Sequence, residues 1–394
     1  MKPNFAQRLQ APTLQMAALA TTHFVVDLIG GILPGILPVA LTHFNISLGI
    51  GVVVLTCVSI GSNLLQIPAA QFDKLHSGPR MLFLGLAMAS LIGLLGFLPT
   101  ESPTLPLCGL MLVVGIGIAI VHPFGLRGVQ SIERIAHTVT TPTFMVGGFL
   151  GYAAGPFVGA MLVEGFGLKG LLLLLIPIAL LVAVLRIGKI RLAVESGVKS
   201  VAATLAEDRS RWSFRHLFFI ALFLNSGSTI IQALLPSYLH AAGFSLSFGG
   251  VSAMLFGIGS AGGSLAIGLL TKRFRPSRFV IGGLALGIPT VIAYLLLSSS
   301  RSACVLMFLA GLFASSSFPL IVAMARSAAN GPALGTRMGV IVGGTWGVAG
   351  LFLLLTGQVA SRIGIAPVMN LAWIFYVIAL VAALWRKPQK GVKI

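Results

Sequence analysis

Apolar runs of about 20 residues recur along this chain, divided by short clusters of charge, glycine or proline, and this pattern dictates the class of fold. Each run is the length a helix needs to cross a hydrocarbon core of ~30 Å. The runs predict about twelve spans, at roughly 14–41, 49–71, 80–98, 105–124, 140–163, 169–187, 215–239, 248–270, 279–298, 303–325, 338–360 and 365–385. Only 9% of residues are charged and 57% are hydrophobic, whereas soluble domains carry near a quarter charged residues. The short alternating segments of a membrane barrel are missing. An all-α, multi-pass membrane protein is therefore expected. The first run is too long for a cleaved signal peptide, contains Asp27 and precedes many further spans, so it is expected to remain in the mature protein.

A net charge of +18 in a soluble protein would point to nucleic acid, but here the distribution decides. With both termini placed inside, 23 of the 26 Lys and Arg residues fall on inner segments, and only Lys169, Arg301 and Arg362 fall outside. This is the positive-inside pattern, so the charge reads as topology and no nucleic-acid partner is expected. Cys57, Cys108 and Cys304 all lie in apolar runs without ligand spacing, which removes disulfide and metal readings; no metal site and no cofactor are expected.

The longest polar interruption, from Arg186 to Arg215, divides six spans from six. It sets expected units at residues 1–187 and 215–394, joined by an inner linker over 188–214. The halves are related. A shift of 198 positions pairs Pro38 with Pro236, Gly51 with Gly249, Ile60-Gly61-Ser62 with Ile258-Gly259-Ser260, and Arg80 with Arg278. Tandem six-span repeats are the plan of secondary transporters that rock two bundles about a site near the midplane. Differences between the repeats are then informative: Asp27 pairs with Asn225, and a shift of 196 pairs His122 with Phe318. No Asp or Glu follows Asp208, so carboxylate proton chemistry can belong only to the first half.

Asp27 lies near the middle of the first run, where an ionised carboxylate costs several kcal/mol unless paired, hydrated or protonated. His23 stands four residues earlier, on the same helical face, and the pair can hold and release a proton. The alternative is a static interhelix hydrogen bond. His122, near the inner end of the fourth span, is read as a proton relay or a structural hydrogen bond. Pro34 and Pro38, flanked by Gly30, Gly31 and Gly35, predict a kink or break in the outer part of the first helix. Ser59, Ser62, Asn63 and Gln66 form one polar face on the second span, facing either a partner helix or a water-filled cavity. Asn225, Ser228, Thr229 and Gln232 repeat the theme on the seventh. Asn63, Gln66, Tyr152, Asn225 and Gln232 are the candidate substrate contacts.

Between the second and third spans, Asp73-Lys74-Leu75-His76-Ser77-Gly78-Pro79-Arg80 is similar to the inner-loop signature of the major facilitator superfamily, with Ala69 where that signature has Gly. Asp73 could cap the inner end of the eleventh span near Arg337, locking an inner gate, or it could simply be solvated. Arg80 completes this candidate gating set. Gly151, Gly155 and Pro156 in the fifth span resemble the antiporter signature of the same superfamily, which implies a seal and bend between the halves. Where superfamily members often carry an arginine in the fourth span, this chain has Met111.

Taken together, His23-Phe24-Val25-Val26-Asp27, Leu64-Leu65-Gln66 with Pro68, Asp73-Lys74, Gly115-Ile116-Gly117 with His122-Pro123, and Val146-Gly147-Gly148 through Gly155-Pro156 resemble the fosmidomycin resistance proteins, a bacterial branch of that superfamily. The resemblance lies mainly in the first half. It implies two pseudo-symmetric six-helix bundles and a monomeric, proton-driven exporter of drugs or small metabolites in the bacterial cytoplasmic (inner) membrane, with both termini cytoplasmic. Uptake by symport or facilitated diffusion uses the same fold, and a non-transporting sensor or assembly factor is the rival of another class. No Ser-His-Asp set, zinc-type cluster or phosphate loop stands at usable spacing, so an enzyme is not expected.

Overall fold

The computed structural model describes residues 9–71, 78–132, 135, 137–192, 212–271, 273–298, 300–328, 337 and 339–385. Among these residues the secondary structure is helical throughout. The first half comprises α1 (Pro12–His43), α2 (Leu48–Leu64), α3 (Arg80–Phe97), α4 (Thr104–Gln130), α5 (His137–Phe166) and α6 (Leu168–Ile187). The second comprises α7 (Phe214–Ala241), α8 (Leu246–Leu270), α9 (Pro276–Leu297), α10 (Arg301–Ala325), α11 (Val340–Ile363) and α12 (Ile365–Leu384). Eleven of these are long and apolar enough to cross a membrane, and α2 is the shorter apolar one. The expected second span ran to residue 71, but α2 stops at Leu64 and a short helix, Gln66–Gln71, follows. Pro68 has no N–H to give to the carbonyl of Leu64, which weakens the helix at the point where it stops.

An even number of spans puts the start of α1 and the end of α12 on one face, called here the terminal face. The expected break in α1 is not found: the helix runs continuously through Pro34 and Pro38. Close packing on α5 holds it. A Cβ added to Gly31 would meet the backbone oxygen of Tyr152, one on Gly35 that of Pro156, one on Gly151 that of Phe24 and one on Gly155 that of Leu28. Bare backbone on both sides lets the helices approach closely, the usual device of membrane interiors where lipid offers no hydrophobic drive.

The halves meet in a pseudo-symmetric way, the second helix of each packing on the fifth of the other: α2 on α11 and α8 on α5. At the face opposite the termini, Gln358 Nε2 donates to Gly49 O (3.0 Å) and Ser247 N donates to Glu164 Oε1 (2.9 Å). Further along the second seam, Gly250 abuts Pro156 and Phe157, and Gly257 abuts Ala153. Eleven residues beyond Gly257 the same face of α8 returns at Gly268, beside which there is open space, and Leu269 is 70% exposed. Among the described residues, the α5–α8 seam is thus closed at the opposite face and uncovered towards the terminal face.

Within the second half, Asn225 Nδ2 donates to Thr345 Oγ1 (2.9 Å), tying α7 to α11, and both residues are fully buried. Interhelical bonds of this kind contribute ~0.6 kcal/mol on average and up to ~1.7 kcal/mol in a membrane protein. Asn225→Ala should therefore lower thermal stability in detergent only modestly and leave transport intact. Loss of transport at unchanged melting temperature would return Asn225 to a role in substrate contact.

Candidate functional site

The candidate proton-coupling side chains sit on α1 and α4 and pack against α5, all in the first half. On α1, the four-residue spacing brings His23 Nε2 to 3.2 Å from Asp27 Oδ2. From α4, His122 Nε2 reaches the other carboxylate oxygen, Oδ1, at 3.1 Å. One carboxylate therefore bridges two imidazoles. The far nitrogens are equally fixed: His23 Nδ1 lies 2.7 Å from Phe144 O on α5, and His122 Nδ1 lies 2.8 Å from Ile118 O one turn back on α4. A backbone carbonyl can only accept, so each Nδ1 carries the hydrogen and each Nε2 is turned to Asp27. A single proton on either side of each Nε2–carboxylate contact satisfies it.

Packing holds this arrangement. The His23 ring stacks on Phe144 at 4.1 Å between centroids and meets the His122 ring edge-on at 4.8 Å. His23 is sealed, with 3% of its side chain exposed, whereas Asp27 (17%) and His122 (23%) remain partly open. A proton or ligand can therefore reach the two outer members without disturbing the innermost. Gly148, not singled out as a site residue from sequence, is the fourth component. A Cβ on it would collide with the His23 ring and stand 2.6 Å from Asp27 Oδ2. In the sequence it stands out only as part of Val146-Gly147-Gly148, one of the stretches that carry the resemblance. His23, Asp27 and His122 are the group among the described residues whose donor atoms cluster closely enough to hold a metal ion, all within 4.8 Å of one another.

Other expected site residues divide differently. Tyr152 lies on α5 one turn beyond Gly148 and is 38% exposed. Asn63 donates to Ser59 O (3.0 Å) and Gln66 to Ser62 O (2.8 Å), both within their own stretch of chain. Added Cβ atoms at Gly350 and Gly343 of α11 would lie 3.4 Å from Ser59 Oγ and 3.6 Å from Asn63 O, so the α2 stripe runs along the seam with a partner helix. Asn225 is enclosed by its bond to Thr345, and Gln232 is half-buried two turns further along α7. Gly151 and Gly155 pack on α1 inside the first half, while Pro156 touches both α1 at Gly35 and α8 at Gly250. Arg80 is exposed at the start of α3. Arg337 Nη1 donates to Ala328 O (2.9 Å) and Ala325 O (3.3 Å) at the end of α10. Asp73 lies outside the described residues.

Two six-helix halves meeting at crossed seams, with an intramembrane carboxylate in one of them, are the architecture of a membrane transporter. The sequence profile of the Major Facilitator Superfamily matches residues 19–303 and 217–392, and the chain belongs to this family. It is 24% identical to the uncharacterized MFS-type transporter YfnC of Bacillus subtilis, over 93% of this chain and 91% of that protein. It is also 24% identical to the fosmidomycin resistance protein of Escherichia coli, over 90% of this chain and 88% of that protein. Among solved structures, a bacterial homolog of the human lysosomal transporter Spinster, inward-facing and occupied, superposes with a TM-score of 0.73 at 15% identity, covering 93% of this chain and 95% of that one. The nucleoside transporter NupG superposes with a TM-score of 0.69 at 17% identity, covering 95% and 97%. These establish the fold; the family is one of transporters rather than enzymes.

Proposed function

We propose that this protein is a proton-coupled antiporter that exports drugs or small metabolites by alternating access. The observation that carries the reading is the Asp27 carboxylate bridging His23 and His122 inside the membrane-spanning part of the first half. A buried ionisable cluster of this kind is costly to keep, and transporters keep it to bind and release protons. No Asp or Glu follows Asp208, so the second half contributes shape and neutral hydrogen bonds. Efflux as the direction draws on the fosmidomycin resistance protein among the relatives.

In this reading residues 1–187 and 215–394 are the two moving bodies, joined by 188–214, and the protein works as a monomer. The basic terminal face is cytoplasmic, so both termini lie on the cytoplasmic side of the bacterial inner membrane. Asp27 takes a proton from the outer side and passes it inward with the help of His122. Tyr152, Asn63, Gln66 and Gln232 are the substrate contacts, and Asp73, Arg80, Arg337 and Pro156 belong to the gates. With no Lys or Arg expected at mid-membrane, a neutral or cationic substrate is the easier cargo.

The test is purified protein in liposomes enclosing a pH dye, with substrate gradients imposed from a panel of drugs and metabolites. Antiport predicts a pH change opposite in sense to substrate flux. Substrate flux with no pH change would leave a facilitator, and proton movement in the same direction as the substrate a symporter.

A further inference from the structure

We propose that His23, Asp27 and His122 form a binding site for one divalent first-row transition-metal ion, making such a cation, free or carrying a chelating group, a cargo or inhibitor of this transporter. The inference rests on the reading of this cluster as the proton-coupling site and adds a metal ion as a competing occupant. Three independent observations converge.

The first is the donor set. Two imidazole nitrogens and a carboxylate suit zinc, cobalt, nickel or iron, while magnesium and calcium call for oxygen-rich shells. The second is orientation. Histidines that ligate metals almost always give their other ring N–H to a carbonyl or carboxylate, which fixes the tautomer and aims the free lone pair. Both histidines are held this way, by Phe144 O at 2.7 Å and Ile118 O at 2.8 Å, and both aim Nε2 at the same carboxylate. The third is spacing. Two ligands each about 2.1 Å from a shared ion, at angles between a right angle and tetrahedral, stand about 3.0 to 3.4 Å apart. The two histidine–carboxylate separations, 3.2 Å from His23 Nε2 to Oδ2 and 3.1 Å from His122 Nε2 to Oδ1, fall in this range, while the full donor set spans 4.8 Å, so an ion bound to all three draws the imidazoles closer together. Gly148 keeps α5 from filling the space beside His23 Nε2 and Asp27 Oδ2.

The site is also reachable and incomplete. Asp27 and His122 are partly exposed, so an ion held there keeps coordination positions open to water or to a chelating group on a larger solute. Chain spacing conceals the set, because His122 comes from a different helix than the His23 and Asp27 pair. Binding requires an ionised carboxylate and free Nε2 lone pairs, so the ion displaces the protons the cluster otherwise shares.

The experiment uses full-length, tag-free protein in detergent, stripped with chelator and titrated with cobalt(II) chloride and zinc(II) chloride by calorimetry and, for cobalt, by visible absorption. One equivalent per chain is expected, with nitrogen-ligand cobalt bands that zinc abolishes and a large excess of magnesium leaves in place. Asp27→Asn should remove the bands, and His122→Gln should weaken binding at least tenfold while the protein keeps its elution profile and melting behaviour. Absence of stoichiometric cobalt or zinc binding to the wild type would overturn the proposal, as would binding unchanged in both variants. Because no gradient is involved, the result is separate from proton coupling. Metal binding without substrate-driven proton flux would sink only the antiport reading, and the reverse only the metal site.

Discussion

Asp27→Asn is expected to reduce substrate-driven proton movement in liposomes to the level of empty vesicles. Asparagine matches the carboxylate in size and can still accept from one histidine, so the helices should assemble. What it cannot do is take a proton. Its amide also brings a donor to one of two Nε2 atoms already aimed at the carboxylate from opposite sides, at 3.2 and 3.1 Å. The measurement pairs an interior pH dye with labelled substrate uptake. Persistent proton coupling in this variant would remove Asp27 from the coupling role and leave it a structural hydrogen-bond partner. Substrate flux that survives while proton movement stops would instead separate binding from coupling and place the substrate contacts elsewhere.

Gly148→Val should be nearly as damaging, through space alone. The first carbon of the new side chain overlaps the edge of the His23 ring at Cε1 and Nε2 and stands 2.6 Å from Asp27 Oδ2, so the pair must be pushed apart or α5 must move off α1. Overpacking a filled interior commonly costs ~1–3 kcal/mol, which a large membrane protein can survive while a site held to a few tenths of an ångström cannot. Transport is expected to fall at least tenfold with membrane insertion retained. Gly262→Val on α8 is the matched control, since nothing lies within 4 Å of a Cβ there. It should keep near wild-type flux. If Gly148→Val transports normally, the spacing between α5 and the cluster is not essential.

The sequence revealed some of this and concealed the rest for identifiable reasons. Span number followed from apolar run length, a one-dimensional property that survives folding. The His23–Asp27 contact followed from helical periodicity, and His122 stood out because an imidazole inside an apolar helix is unusual. Phe144 and Ile118 were hidden because they act through carbonyl oxygens, which every residue has. Gly148 was hidden because its contribution is the lack of a side chain. Tertiary packing shapes two further positions. Pro34 and Pro38 did not break α1, because the glycine-lined seam with α5 supports the helix on both sides of them. Asn225, aligned with Asp27 in the repeat, donates its amide N–H to Thr345 in a fully enclosed position. Internal symmetry thus preserved the position of a polar group while its surroundings diverged.

The seam between α1 and α5 has a bearing on how the transport cycle is timed. Both imidazoles that contact Asp27 ride on α1 and α4 of the first half, so in the proposed cycle the cluster travels as luggage within one body. Rocking the halves cannot pull the carboxylate away from its histidines; it can only change which aqueous compartment wets them. Commitment to a proton would then be set by hydration at the doorway, and the clock of the cycle would be the opening and closing of the α5–α8 and α2–α11 seams. Variants at Ser247, Glu164, Gln358 or Gly49 would alter how long the cargo waits, while its grip stays the same.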